Sequence, residues 1–304
     1  MDRIGEALER ARREREARAP EAAPEQRPAA VPIGPAVAPV GQIPPRQVPA
    51  RTGPARIVYT KTRQVSVSEE ELLQKRVVTG LEHEEFTQAF KILRTQILRA
   101  LKDNNWNAVA VTSPGENDGK TVTAINLAIH LAAEVDRTVL LVDADLRRPE
   151  LHSYFGVPAT PGLSDYLIDQ APLETMLVNP GIERLVLLPG GRAIANSAEM
   201  LSSRMMADLV DELKKRYPQR IVLFDLPPVL VAADALAFAP YVDATVLVAA
   251  QSHTRHADLK RASELLAQST NLLGVVLNRT EPSAAHAYAG AKPGFLRRLF
   301  GGAR

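Results

Sequence analysis

Ala108-Val109-Ala110-Val111-Thr112-Ser113-Pro114-Gly115-Glu116-Asn117-Asp118-Gly119-Lys120-Thr121-Val122-Thr123 is the stretch whose reading decides the fold. Ala108 to Val111 alternates Ala with β-branched Val and reads as a buried strand. From Val122 on, Ile125, Leu127, Ala128, Ile129 and Leu131 make a helix apolar nearly all round, as one pressed on a sheet would be. The turn between them ends in Gly119-Lys120-Thr121. A strand, a turn and a helix opening on Gly-Lys-Thr form a phosphate-binding loop. Unpaired backbone N–H groups and the positive helix end face the anion, Lys120 reaches the β/γ-phosphates, and Thr121 is placed to ligate Mg²⁺. The motif G-x-x-x-x-G-K-[ST] wants a glycine where Pro114 stands, and Gly115, one place later, is the candidate for the flexible position.

Downstream of this loop, short apolar runs alternate with helical patterns. The predicted strands are Thr138–Val142, Leu185–Leu188, Ile221–Phe224, Ala244–Val248 and Leu273–Leu277. The predicted helices are Pro149–Phe155, Leu163–Ile168, Ala198–Arg216, Ala232–Phe238 and Arg255–Gln268. Upstream, a helical pattern starts at Glu82, with Phe86, Phe90, Leu93, Ile97 and Leu98 on one side, and stops near Asp103-Asn104-Asn105. The fold class is therefore α/β, a mainly parallel sheet covered by helices on both faces. Residues 82–280 are enough for one such domain with its own core. Ligands in this architecture bind at the carboxyl ends of the strands.

The rest of the 304-residue chain reads differently. Residues 1–19 are a short charged helix with a stripe at Ile4, Ala7, Leu8 and Ala11. Ten of the 23 prolines fall between Pro20 and Pro54, so residues 20–56 read as a disordered, polyproline-like linker. Residues 57–81 carry no clear pattern, and 281–304 read as a flexible basic tail. Its Phe295-Leu296-Arg297-Arg298-Leu299-Phe300 has the composition for a weak contact with an anionic membrane surface. A net charge of +2 gives no case for nucleic acid, and the lack of cysteine excludes disulfides and thiolate metal sites. Without an 18-residue uncharged apolar run or a signal-peptide core, the sequence predicts a soluble cytoplasmic protein. The six histidines have no metal-ligand spacing, and His152, His253 and His256 are expected at helix starts or surfaces.

Two predicted strands end in carboxylates: Leu140-Leu141-Val142-Asp143-Ala144-Asp145 and Ile221-Val222-Leu223-Phe224-Asp225. Beside a phosphate loop, such groups hold Mg²⁺ directly or through water, and one takes a proton from an attacking hydroxyl. Three crowded carboxylates raise one another's pKa unless a cation compensates, which points to a metal.

These motifs together resemble those of the cytoplasmic bacterial tyrosine kinases (BY-kinases) of capsule and exopolysaccharide synthesis. That family is a branch of the P-loop ATPases that also holds the chromosome-partitioning and septum-placement ATPases. Pro114–Thr121, Val142–Arg147 and Leu223–Pro228 are similar to its three nucleotide motifs. Arg147-Arg148-Pro149 with His152 and Phe155, Gly162-Leu163-Ser164, Leu188-Pro189-Gly190-Gly191 with Asn196 and Glu199, and Gly274-Val275-Val276-Leu277-Asn278 match further segments. The start, Met1-Asp2-Arg3-Ile4 to Arg18, looks like that of kinases from exosortase-linked exopolysaccharide clusters. The septum-placement relatives carry an extra lysine where this chain has Gly115, which favours the kinase branch.

The resemblance implies ATP and Mg²⁺ as cofactors. Gly115, Glu116, Asn117, Asp118, Gly119, Lys120, Thr121, Val122 and Arg147 would bind nucleotide, with Asn278 at the adenine edge. Lys120, Asp143, Asp145 and Asp225 would serve catalysis, with Thr121, Asp143 and Asp225 at the metal. The implied partner is the cytoplasmic segment of a membrane chain-length-determinant activator, which places the protein at the inner face of the plasma membrane. Three features depart from the family. Asn117 stands where glycine is common. The ring-forming E-x-x-R-x-x-R pattern reads Gln88, Lys91 and Arg94, which implies a weak homo-oligomer. The tail has Tyr288 alone in place of a tyrosine cluster. Tyr154, Tyr166 and Tyr241 fall within folded elements and Tyr217 is expected to be packed, leaving Tyr288 and then Tyr59 as phosphate acceptors. Two other readings use the same pocket: an ATP-gated assembly switch without autokinase activity, and a partitioning-type switch.

Overall fold

In the computed structural model, residues 62–78, 84–217 and 219–280 are described. The predicted N-terminal helix and linker (1–56), the start of the 57–81 segment with Tyr59, and the tail 281–304 with Tyr288 lie outside them. The central strand β2 (Ala108–Thr112) is buried at every position. Its side chains alternate between two cores. Ala108 and Ala110 join one apolar cluster, and Val109 and Val111 join the other, on opposite faces of the sheet.

Around β2 the other long strands align in parallel: β3 (Thr138–Asp143), β5 (Leu185–Leu188), β6 (Arg220–Asp225), β7 (Ala244–Ala250) and β8 (Asn271–Asn278). With β1 (Arg63–Gln64) and β4 (Val178–Asn179), the sheet has the order β1-β4-β5-β3-β6-β2-β7-β8. Only β4 meets its neighbour β5 antiparallel. The chain leaving β2 passes over the β6 position to form β3, then later returns to β7 on the other side, so a crevice opens at the carboxyl end of β2.

Helices α2 (Glu84–Asn104) and α3 (Lys120–Ala132) cover one face. Phe90, Ile97 and Leu101 of α2 and almost the whole surface of α3 are buried there, as the apolar sequence of α3 predicts. The uncertain segment before α2 belongs to this domain. Its α1 (Glu69–Gln74) buries Leu72, and Asn126 of α3 accepts from the Val78 N–H at 2.9 Å and donates to the Arg76 carbonyl at 3.0 Å.

The short α4 (Leu151–Tyr154) packs on this same face, while the second face carries α5 (Leu163–Asp169), α6 (Ser197–Leu201), α7 (Arg204–Arg216), α8 (Asp234–Phe238) and α9 (His256–Ala267). The helix predicted over 198–216 is two helices. Ser203 breaks it, because its hydroxyl accepts the Met206 N–H at 3.2 Å as the N-cap of α7. Tyr217, expected to be packed, is half-exposed, with the Arg220 guanidinium over its ring.

Candidate functional site

β2, the turn after it and α3 form the predicted phosphate loop. Two residues take left-handed backbone angles, Asn117 at φ 61° and Gly119 at φ 91°. Asparagine tolerates that region better than most residues, so the substitution at 117 keeps the loop's path. At Gly119 a Cβ would fall inside van der Waals contact of the Asn278 amide nitrogen, and only glycine fits. Gly119 gives α3 no side-chain cap, so the N–H groups of its first turn are left for an anion.

Asp118, buried within the loop, holds it in shape from three sides. Its carboxylate accepts the Gly115 N–H at 3.0 Å and the Thr254 hydroxyl at 2.6 Å, and lies 2.9 Å from His253 Nδ1. The Asn278 amide donates to the Asp118 carbonyl at 3.0 Å, and Arg279 donates to the Asn117 carbonyl at 2.6 Å. His253, Thr254 and Arg279 were missed as loop partners, since nothing in sequence links them to residues over a hundred positions away. Glu116 pairs with Arg148 at 3.0 Å.

The carboxylates meet where the sheet brings them. Asp143 of β3 and Asp225 of β6 are register partners at the ends of adjacent strands. The sequence pointed to a metal as the compensating cation. Here the Lys120 ammonium fills that role, 2.8 Å from Asp145 and 3.7 Å from Asp225. Burial alone would drive the ammonium pKa down, but the Asp225 and Asp145 charges outweigh it and hold Lys120 firmly protonated. Asp225 is pushed up to about 6, chiefly by burial, with Lys120 and the Thr121 hydroxyl (2.6 Å) pulling it back. Asp143 is also raised, by burial and then by Asp225, although it accepts the Leu151 N–H at 3.0 Å and the Asp145 N–H at 3.2 Å.

Arg147, expected at the nucleotide, turns to the fully buried Asp234, its Nε 3.0 Å away, and Ser197 donates to the same carboxylate. Val122 lies in the first turn of α3, next to the metal-ligand candidate Thr121. Two features suit Mg²⁺ and nucleotide. The Asp225 Oδ1 is buried with no hydrogen-bond partner, beside the Thr121 hydroxyl. The crevice floor is a row of uncapped helix N–H groups. Among the described residues no three acidic or histidine side chains converge as a self-sufficient metal cage. That suits a metal which takes one or two protein ligands and completes its shell with phosphate and water.

Residues 109–291 match the family model of the CobQ/CobB/MinD/ParA nucleotide binding domain. The chain is 33% identical over 230 residues to tyrosine-protein kinase YwqD of Bacillus subtilis, covering 74% of this chain and 96% of that protein. It is 31% identical over 199 residues to tyrosine-protein kinase ptk of Acinetobacter johnsonii, there spanning 65% of this chain and only 27% of the relative. The crystal structure of the chimerical protein CapA2B2 superposes with a TM-score of 0.62 at 29% identity, covering 72% of this chain and 93% of that one. Among the described residues no helix is long and apolar enough to cross a membrane. The loop, the paired strand-end carboxylates and these matches agree: the chain belongs to the BY-kinase family of the CobQ/MinD/ParA P-loop superfamily.

Proposed function

We propose that the protein is an ATP- and Mg²⁺-dependent protein-tyrosine kinase serving a capsule or exopolysaccharide assembly complex from the cytoplasmic side of the membrane. The observation that carries this reading is Lys120 seated between Asp145 and Asp225, within the sequence framework shared with kinases such as YwqD. When bound, Mg-ATP supplies the transferable phosphoryl group and a cation that offsets its charge. With nucleotide bound, Lys120 would turn from Asp145 to the phosphates and so free Asp145. Asp143 or Asp145 would accept the proton of the tyrosine hydroxyl, and Thr121 and Asp225 would hold the metal. Asn278, which donates to the Asp118 carbonyl beside the loop, would meet the adenine edge.

The activator is proposed as the cytoplasmic segment of a chain-length-determinant membrane protein, in line with the CapA-type half in the name of the solved chimera. The decisive experiment incubates the full-length protein with Mg-ATP, with and without that segment, and maps phosphosites. Tyr288 should carry most phosphate and Tyr59 less, and Tyr288→Phe should remove most of the signal. An ATP-hydrolysing sample without phosphotyrosine would instead support the ATP-gated assembly switch. One observation favours that second reading: Tyr288 is the single tyrosine after position 241.

A further inference from the structure

A cleft of about 480 Å³ lies at the opposite end of β2 from the phosphate loop, between the end of α2, the end of α7 and the turn before β3. Trp106, the chain's single tryptophan, lines it. The ring is only partly exposed, because one side packs on the core under α2 and α3. A fixed indole presenting its remaining surface to a cleft is a stacking platform for a sugar's C–H face.

The charges around it are of two kinds. Lys214 is already 2.5 Å from Asp243, and Lys215 is paired with Asp211. Lys102 and Arg137 line the same cleft and have no ion-pair partner among the described residues. Lys102 sits in the last turn of α2, where a cation offsets the helix dipole. Arg137 precedes β3 and ends no helix, so that account does not cover it. Asn105, Asp136 and Gln219 complete the wall with amide and carboxylate groups suited to hydroxyls.

A bare anion would leave the indole and amides unused, and a neutral sugar would leave the two cations unused. We propose that this cleft binds a phosphorylated sugar, with Trp106 against the ring, Lys102 and Arg137 on the phosphate, and Asn105, Asp136 and Gln219 on the hydroxyls. Its volume falls in the range of small-ligand sites. The site is separate from the nucleotide crevice, so it stands whether or not the protein is a kinase.

The single tryptophan makes the test direct. The full-length protein is titrated with the 1-phosphates of glucose, galactose and mannose, and Trp106 fluorescence is read with excitation beyond tyrosine absorption. At least one should give a saturable change, with free sugar and inorganic phosphate each roughly tenfold weaker or more. Lys102→Ala with Arg137→Ala should weaken that binding by roughly tenfold or more while leaving ATP hydrolysis unchanged. Lys120→Ala should leave it intact. No saturable response up to about 10 mM, well above the usual range for a specific small-molecule site, would overturn the proposal. So would equal binding of inorganic phosphate, which would mark a plain anion site. Loss of the response in Lys120→Ala would place the ligand in the nucleotide crevice and equally overturn it.

Discussion

Lys120 has two tasks, and its replacement separates them. In the structure it neutralises buried carboxylates, and in the function proposed above it would also meet the β/γ-phosphates. Lys120→Met should lose about 2–3 kcal/mol of ATP binding, roughly 30- to 150-fold, measured by titration calorimetry. It should also lower the melting temperature, because Asp145 and Asp225 lose the cation that compensates their burial. Unchanged affinity in a folded variant would contradict the placement of the loop. Asp225 yields a prediction with a defined sign. Its pKa is raised from 3.8 to about 6 by burial, so the native state binds its proton more tightly than the unfolded chain does. The stability this brings is complete below 3.8 and is lost as pH rises through about 6. The melting temperature of the wild type minus that of Asp225→Asn should therefore fall across this window. A difference that is flat or rises with pH would refute the assignment.

Among the elements, the turn from β2 to α3 concentrates the strain and the specificity. Gly119→Ala would hold alanine at φ 91° and drive its Cβ into Asn278. The left-handed angle costs about 1–2 kcal/mol, and displacing the Asn278–Asp118 hydrogen bond about 1 more. Asn278→Ala removes the second cost beforehand, so the double variant should be less destabilised than the two single losses added together. Strict additivity in denaturant unfolding would show that the two residues do not touch. Most long elements were legible from pattern, since buried strands such as β2 and β6 are continuous apolar runs. The helix over 198–216 was not, because Ser202-Ser203 leaves the apolar period nearly in phase while Ser203 starts a new cap. β1 and β4, two residues each, are too short to carry any period.

At the scale of the whole molecule, assembly and phosphorylation follow from which charges are already spent. Arg94, expected to serve ring contacts, lies 3.2 Å from Glu134 of its own domain. Gln88 is exposed on α2 and uncharged, so the face offers little for a bidentate partner. Gln88→Glu with Lys91→Arg should raise the mass measured by light scattering, and a wild type that is already a stable closed ring when dilute would contradict this. Tyr217, unlike the other described tyrosines, is exposed enough to be tested as an acceptor. Burial raises the pKa of Tyr154 and Tyr166, in keeping with their placement inside folded elements.

Read alone, the sequence determined the phosphate loop, the strand-end aspartates and the α/β class, because each depends on contiguous residues or on short-range periodicity. The partners of those residues were decided by strand order. β6 lies between β2 and β3, so Asp225 reaches both Thr121 and the Lys120 ammonium, although more than a hundred positions separate them. β7 and β8 flank β2 on its other side, and the turn after β7 brings His253 and Thr254 onto Asp118 while the end of β8 brings Asn278 onto the loop. Arg147 follows a nucleotide motif in the sequence, and that motif says nothing of its partner in the fold. The side chain pairs with Asp234 because α8 buries a carboxylate beside it, and a charge removed from water takes the nearest cation.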